Sequence, residues 1–489
     1  MGSSVQPKLG PQHAVRVADS SLHLGANIRI TPQSRYYALN ELSRRAGIPE
    51  DFFRSWKVSV SRERTVFEIS NGVSKFISFP HASPQQMENL AAGRFNWVTV
   101  PLLTGSNPAR NAGISDCVIP FVESGNTSKG PLFYLTAQNS LECSVDLPLA
   151  ILLTLSRWEE LLETPRDAHG RFRAIDSVAF KGKFLHRPIV DEYGVAFEQA
   201  MELLYPAWQK SERKLRIKIS HDADHVGMPF RWKTAARHSI RSLAPLNSIR
   251  DVSSRFSRVE PSELKSVRDI ATISKHHGLS STVYWKAGPP TSNDSGYDPR
   301  HSKVRAVVRW LDQIGAESGV HPGYNTYRSP ERLRREISIL RDVLGDRPIG
   351  GRQHYLRWCP DTWIDWENCG LAYDSSVGYA EQIGFKAGTC IPYRPWLFPL
   401  NRQADLLEIP MLIMDRTLLG YMRLTKAQSI QEVAQIMNRC KEVGGVLTVL
   451  WHNDTFLEPG YRDLYLSLLQ IVAGIENYNW QSDRPVLSK

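Results

Sequence analysis

The hexapeptide Ser220-His221-Asp222-Ala223-Asp224-His225 places two carboxylates and two imidazoles side by side. It follows Leu215-Arg216-Ile217-Lys218-Ile219, where apolar and charged side chains alternate as they do along a half-buried strand. The cluster therefore arrives where a strand ends. Carboxylates this close repel one another, and burying them without a partner costs on the order of several kcal/mol. Such a group is best explained by a shared cation or a shared proton. Strand ends are also where parallel α/β folds collect their chemistry.

Four more polar groups stand at the ends of runs that read as strands. They are Gly319-Val320-His321-Pro322-Gly323-Tyr324-Asn325, Gly351-Arg352-Gln353-His354-Tyr355, Tyr373-Asp374-Ser375-Ser376 and Leu450-Trp451-His452-Asn453. Each alone is explained by a structural polar residue, since a single His beside an apolar strand more often meets a backbone group than a ligand. Five such groups in strand order point to one site.

The elements that must position them alternate in type after residue 214. Strand patterns cover 215–220, 281–285, 319–321, 350–354, 371–373, 406–413 and 446–451, with helical periodicity at 262–276, 303–315, 330–344, 360–368, 426–442 and 461–475. Repeated βα units predict parallel strands with helices outside, enough of them to bend into a barrel. Before residue 205 the signals are mixed: β-like runs at 56–60, 65–69, 75–79 and 95–102, then helical patterns at 147–162 and 190–208. The polar stretch 209–214 marks the boundary, giving an N-terminal α/β domain at 1–209 and a barrel domain at 210–489. An insertion at 226–259 carries seven arginines and lysines against the single acid Asp251. It reads as a solvated helix with an apolar stripe, or as a basic amphipathic segment for an anionic membrane or a pyrophosphate.

At 489 residues with 42% apolar and 22% charged side chains, the chain has the composition of a multidomain globular protein. Residues 1–20 lack the layout of a secretion signal, and no window approaches the roughly 18 apolar residues of a membrane helix. The expected address is the cytoplasm, with peripheral contact at the inner membrane face through 226–259. Six scattered cysteines contain no C-x-x-C pair and read as buried thiols. The net charge of +10 favours an anionic partner, but outside the insertion the basic residues are dispersed and no nucleic-acid-binding motif appears.

In the order Asp-x-Asp, His, Arg, Asp, His at successive strand ends, the chain resembles polysaccharide deacetylases of the carbohydrate esterase family 4 type. The phrases Gly351-Arg352-Gln353-His354-Tyr355-Leu356, Tyr373-Asp374-Ser375-Ser376 and Gly384-Phe385-Lys386-Ala387-Gly388-Thr389 are similar to an uncharacterised branch associated with bacterial surface-polysaccharide synthesis. The resemblance covers roughly residues 214–489, and 1–205 look like that branch's N-terminal extension. It implies an α/β fold, a distorted (β/α)7 barrel of deacetylase type preceded by a smaller mixed α/β domain. It also implies Asp222 as general base, Asp224 and His321 as metal ligands, Arg352 orienting Asp222, and His452 as general acid with Asp374 as its tuning partner. The cofactor would be a divalent metal such as Zn²⁺, which brings a water towards a pKa of ~7.

One position departs from the family pattern. Four residues after His321, where a second histidine is usual, the chain has Asn325. Catalytic zinc ordinarily keeps three protein ligands, so His354 or His225 is needed as the third. Tyr324, Asn325, Lys386, Tyr393 and Trp396 are candidate substrate contacts, while Glu408, Asp415 and Asp454 are potential cleft acids that read more readily as salt-bridged rim residues. The function expected is removal of an N-acetyl group from an amino sugar or polysaccharide precursor, presented on a nucleotide or lipid pyrophosphate. The alternative is a decayed site that binds carbohydrate or scaffolds a glycan assembly complex.

Overall fold

The computed structural model describes residues 16–17, 22–24, 28–71, 73–102, 114–122, 130–137, 139–209, 212–228 and 260–483. From residue 229 onward, the basic insertion lies outside the described residues. The chain divides into two compact units, each discontinuous in sequence. One comprises Thr154–Asp191, Glu212–Leu397 and Arg402–Lys489; the other comprises Met1–Leu153, Glu192–Ser211 and Phe398–Asn401.

The first of these holds the strands β1 (Arg216–Ala223), β2 (Ser281–Trp285), β3 (Glu317–Val320), β4 (Tyr373–Asp374), β5 (Leu407–Glu408), β6 (Ile413–Met414) and β7 (Val446–Leu450). β1 is central, paired in parallel with β2 on one side and β7 on the other. β3 extends the sheet from β2, and β6 extends it from β7. Past β3 the circuit thins to single bridges, Val320 to Gly351 and Gly351 to Asp374, before β4 pairs with β5. Among the described residues no pairing joins β5 to β6. The expected barrel is therefore an open circuit of parallel strands in a mixed α/β unit.

Local sequence explains the thin part. A Cβ on Gly351 would sit 2.2 Å from the Val320 carbonyl, and one on Gly350 would sit 2.2 Å from the Tyr373 ring. Only glycine lets this segment pass between β3 and β4. The strand expected over 350–354 shrinks to that bridge because Tyr355 and Leu356 turn the chain with φ of 61° and 52°. The strand expected over 406–413 splits into β5 and β6 around Pro410, which has no N–H to give a ladder. The helices Ser262–His276, Pro330–Leu344 and Lys426–Val443 fall where the 3.6-residue period puts them, each with one apolar face buried.

Below the polar strand ends, Tyr284, Tyr373, Leu407, Ile409, Val446, Tyr478 and Trp480 form a packed cluster. Lys218, on the same face of β1 as Asp222, is buried among these strands and pairs with Glu317 at 2.8 Å. That pairing keeps the lower interior dry without leaving a charge unmatched.

The other unit is built on a six-stranded sheet containing Lys57–Val60, Arg64–Asn71, Val73–Pro80, Phe133–Ala137 and Ser140–Cys143. Phe53, Trp56, Phe67, Phe79, Phe133 and Phe197 pack edge to face or tilted against one another, with successive ring centroids 5.2–6.3 Å apart. Thr31 and Ser34 form a capping box that starts the helix Pro32–Arg45. None of the six cysteines forms a disulfide. Among the described residues no helix is long and apolar enough to cross a membrane.

Candidate active site

The two-residue period of β1 puts Ser220 and Asp222 on one face, with Asp224 one residue beyond the strand end. His221 takes the other face, where its ring nitrogens meet the Trp451 carbonyl at 3.0 Å and Ser281 Oγ at 3.1 Å. Burial pushes its pKa down to about 4. It is a packing residue, and the two acids are left to face the strand ends together.

Arg352, just past the Gly351 bridge, donates to Asp222 Oδ1 at 3.0 Å. The same guanidinium donates to Ser220 Oγ at 2.9 Å, to the Ser375 carbonyl at 2.9 Å and to Ser375 Oγ at 3.1 Å. Both side chains are almost wholly buried. Arg352 is thereby fastened to β1 and to the residue after β4 and holds one oxygen of Asp222, while Oδ2 lies 3.7 Å from His321 Nε2.

Asp224, His321 and His354 converge. Asp224 Oδ1 lies 3.1 Å from His321 Nε2 and 3.3 Å from His354 Nε2, and one ligand atom from each of the three lies within 4.8 Å of the others. Each imidazole is oriented through its far nitrogen. His321 Nδ1 faces the Arg352 carbonyl at 2.6 Å, and His354 Nδ1 faces Asp294 Oδ1 at 2.6 Å. With a proton on Nδ1, each ring turns its Nε2 lone pair to the cluster, the usual second layer of a histidine metal site. Asp224 Oδ1 and His321 Nε2 are buried without a hydrogen bond of regular geometry. Two imidazoles, one carboxylate and orphaned inward atoms fit a divalent ion such as zinc. Burial opposes the charge of Asp224, but His354, Lys286 and His321 outweigh it and hold the carboxyl well below its ordinary range.

The third member of the cluster is thus His354. His225 is half exposed at the same cavity, 4.0 Å from Asp454, and is not a member of the cluster. Asn325 is exposed on the turn after His321 and does not line the cavity.

His452, two residues past the end of β7, presents Nε2 at 3.8 Å from Asp224 Oδ2. Its carboxylate partner is Asp415, with Oδ1 2.7 Å from His452 Nδ1 and Oδ2 accepting the His452 backbone N–H at 2.8 Å. Burial lowers the imidazole pKa, yet Asp415 and then Asp224 raise it to about 9. Asp374, the tuning partner implied by the resemblance, is instead bonded to Ser376 and paired in register with Glu408. Burial pushes the Asp374 carboxyl up to about 7, and burial together with Asp374 pushes Glu408 well above the ordinary range. Asp415 and Glu408 are fully buried, which corrects their reading as rim acids.

Lys286 follows β2 as Asp224 follows β1. Its Nζ lies 2.7 Å from Asp294 Oδ1, 3.2 Å from His354 Nε2 and 3.5 Å from Asp224 Oδ1. Burial works against the ammonium, but Asp224 and Asp294 outweigh it and raise its pKa above the ordinary lysine value. Its backbone N–H donates to Tyr297 Oη at 3.0 Å, which donates to the Ala223 carbonyl at 2.7 Å, so β1 fixes where Lys286 starts.

Asp222, Asp224, His321, His354, His452 and Lys286 line one cavity of about 510 Å³, walled by Arg171, Tyr355, Arg416, Tyr421 and Tyr461. Tyr355, in its left-handed conformation, has its ring centroid 4.6 Å from that of His354. Other expected substrate contacts lie elsewhere. Lys386 is buried with Nζ 3.2 Å from Glu160, Tyr393 is buried and donates to the Leu155 carbonyl, and Trp396 is buried. Tyr324 is half buried under the Arg357 guanidinium, 3.9 Å above its ring. The loop 384–396 is therefore interior packing, because Glu160 and the Leu155 carbonyl supply the polar partners its composition needs.

Four site residues are not among those the sequence singles out for the cluster: Lys286, Asp294, Arg171 and Arg416. For Lys286, as for Asp415, the signal was place, since each is the first residue after a strand. Arg171 sits in a turn where it pairs with Asp167 at 2.7 Å, which reads locally as a salt-bridged surface.

Residues 47–206 match a family of unknown function, DUF7033. No curated protein matches the chain. Among solved structures, the chain is similar to a candidate polysaccharide deacetylase from Mycobacterium smegmatis, at 15% identity and a TM-score of 0.39, over 55% of this chain and 89% of the other. It is similar to Puue allantoinase at 14% identity and a TM-score of 0.37, over 57% and 91%. A probable polysaccharide deacetylase from Pseudomonas aeruginosa PAO1 is 14% identical, with a TM-score of 0.35, over 55% and 89%.

Proposed function

We propose that this chain is a divalent-metal-dependent hydrolase that removes an N-acetyl group from an amino sugar in bacterial surface-polysaccharide synthesis. The observation that carries the reading is the convergence, in one cavity, of the Asp224–His321–His354 cluster with two differently prepared groups. One is Asp222, held by a cation; the other is His452, held by an anion. The sugar and its setting rest on the motif resemblance alone. A nucleotide or lipid pyrophosphate carrier, and membrane contact through 226–259, rest on composition.

An ion held by Asp224, His321 and His354 supplies the Lewis acidity that polarises an acyl carbonyl and acidifies water. The chain's own groups divide the proton work. Asp222 Oδ2, the oxygen not engaged by Arg352, takes the proton of the attacking water. Arg352 keeps that carboxylate in place and sets a full positive charge beside it. His452 Nε2 gives its proton to the departing amine, and Asp415 supports the imidazolium through Nδ1. Tyr355, Tyr421 and Tyr461 offer ring faces and hydroxyls to a sugar at the cavity wall.

The rival reading, a carbohydrate-binding protein decayed at Asn325, loses its motive once His354 stands as the second imidazole. The test is metal analysis of the purified full chain and of His321→Ala, with acetate release measured from free, nucleotide-linked and lipid-pyrophosphate-linked N-acetyl amino sugars. The reading expects one ion per chain, lost in His321→Ala. Asp222→Asn should keep the ion and lose about 10²-fold or more in acetate release. A chain that takes up neither zinc, cobalt nor nickel and releases no acetate would sink the reading.

A further inference from the structure

We propose that Lys286 is an internal counter-cation of the metal site: it shares the ligands Asp224 and His354 with the divalent ion, and has to yield Asp224 for that ion to bind. The inference rests on the metal-site reading above and concerns what sets the affinity of that site.

Three observations carry it. First, the Lys286 ammonium does not border the cluster from outside, because Nζ is within 3.5 Å of Asp224 Oδ1 and 3.2 Å of His354 Nε2, two of the three ligand atoms. The single lone pair of His354 Nε2 cannot serve an ion and an ammonium at once, and a dication brought to Asp224 repels an ammonium 3.5 Å from the same carboxylate. Second, the charges near the cavity are nearly matched before any metal arrives. Asp222, Asp224 and Asp294 face Arg352 and Lys286, while Asp415 and His452 form a pair of their own. With Lys286 neutralised, the same pocket would hold an additional uncompensated negative charge, and its attraction for a divalent cation would rise steeply at the effective dielectric of a partly buried site. Third, Lys286 has somewhere to go. Its shortest contact, at 2.7 Å, is to Asp294 rather than Asp224, so it can release Asp224 and keep a carboxylate partner. Asp294 also faces His354 Nδ1, so the anion that would retain the lysine also orients the ligand that the lysine frees.

The arrangement implies a weaker, exchangeable metal and a metal-free state that does not fall apart. The test compares the full-length chain with Lys286→Met, both stripped with a chelator and then titrated with Zn²⁺ or Co²⁺ against a chromophoric competitor. Lys286→Met is expected to bind the ion at least about tenfold more tightly than the unaltered chain. Its metal-free form is expected to melt lower than the metal-free unaltered chain, with the gap closing at saturating metal. Lys286→Arg, which keeps the charge on a larger head, is expected to bind more weakly than the unaltered chain. If Lys286→Met does not fold without metal, Lys286→Gln carries the same expectation, because its amide retains a donor for Asp294. Equal or weaker binding in the neutral variants, with the unaltered chain binding normally, overturns the inference and leaves the metal site standing. Failure of every form to bind any ion overturns both. In a metal-loaded crystal, Nζ still within 3.5 Å of Asp224 Oδ1 would also overturn it.

Discussion

A buried imidazole ordinarily loses its proton, and His221 behaves that way on the far face of β1, with a pKa near 4. His452 is equally enclosed and goes the other way, to about 9, because a fully buried carboxylate stands 2.7 Å from Nδ1. As the proton donor of the proposed reaction, it stays charged until the pH climbs through about 9, and acetate release is expected to fall above that point. Its stabilising contribution follows the same sign: complete below the unfolded value near 6.5, and lost as pH rises through about 9. Asp415→Asn removes the larger of the two anionic influences on this imidazole and leaves burial and Asp224, so the alkaline limb of the pH–rate profile is expected to move down from about 9. Histidine NMR titration of the same variant separates this from a loss of folding; an unmoved limb would count against His452 as the donor. Asp222, Asp224, His321, Arg352 and His452 were legible because each stands in a distinctive string at a strand end. Asp415 and Lys286 hold equivalent places, but each follows an apolar run with no distinctive string around it, and only distance in space reveals its partner.

Helices and central strands were legible at the scale of the element, because helical periodicity is a local property and β1, β2 and β7 are runs of five to eight residues. The thin arc through Gly351, β4 and β5 was not, since a bridge of one residue has no period. What holds that arc is close approach. Gly351→Ala would press a methyl onto the Val320 carbonyl and carry Arg352 away from Asp222. It is expected to cost roughly 1–3 kcal/mol of stability, read as a lowered denaturant midpoint, and to lower activity beyond what unfolding explains. An unchanged midpoint would mean the backbone relaxes there freely. β4 and β5 also carry the facing acids Asp374 and Glu408, both with raised pKa. A carboxyl raised on folding binds its proton more readily in the native state, so the contribution of this pair to stability is greatest below about pH 4 and declines as pH rises towards 7 and beyond. Asp374→Asn is expected to flatten that decline, making the variant comparatively more stable at pH 8 than at pH 5. Thermal melts across that range decide it, and parallel curves for both proteins would refute the coupling.

The loop 384–396 misled at the scale of the whole molecule. Its glycines, prolines and aromatics suit a surface loop, yet Lys386 is enclosed because Glu160, more than two hundred residues earlier, meets it at 3.2 Å. No local pattern encodes such a pairing. A chain cut at residue 210 would strand Lys386 without that acid and remove Arg171 from the cavity wall. Losing one partner of a buried pair costs about 3–5 kcal/mol, so residues 154–489 are expected to melt at a distinctly higher temperature than residues 210–489. Equal melting temperatures would show that 154–191 contributes nothing to the unit it is counted in. The interleaving runs in both directions, since the unit beginning at the N-terminus includes Phe398–Asn401, and Thr31 donates to Asn401 Oδ1 at 3.0 Å. Protein synthesis delivers residues in order, so a nascent polypeptide must reach residue 401 before the portion around Thr31 can be finished. Such a molecule matures late on the ribosome, and its early segments are natural clients for a chaperone.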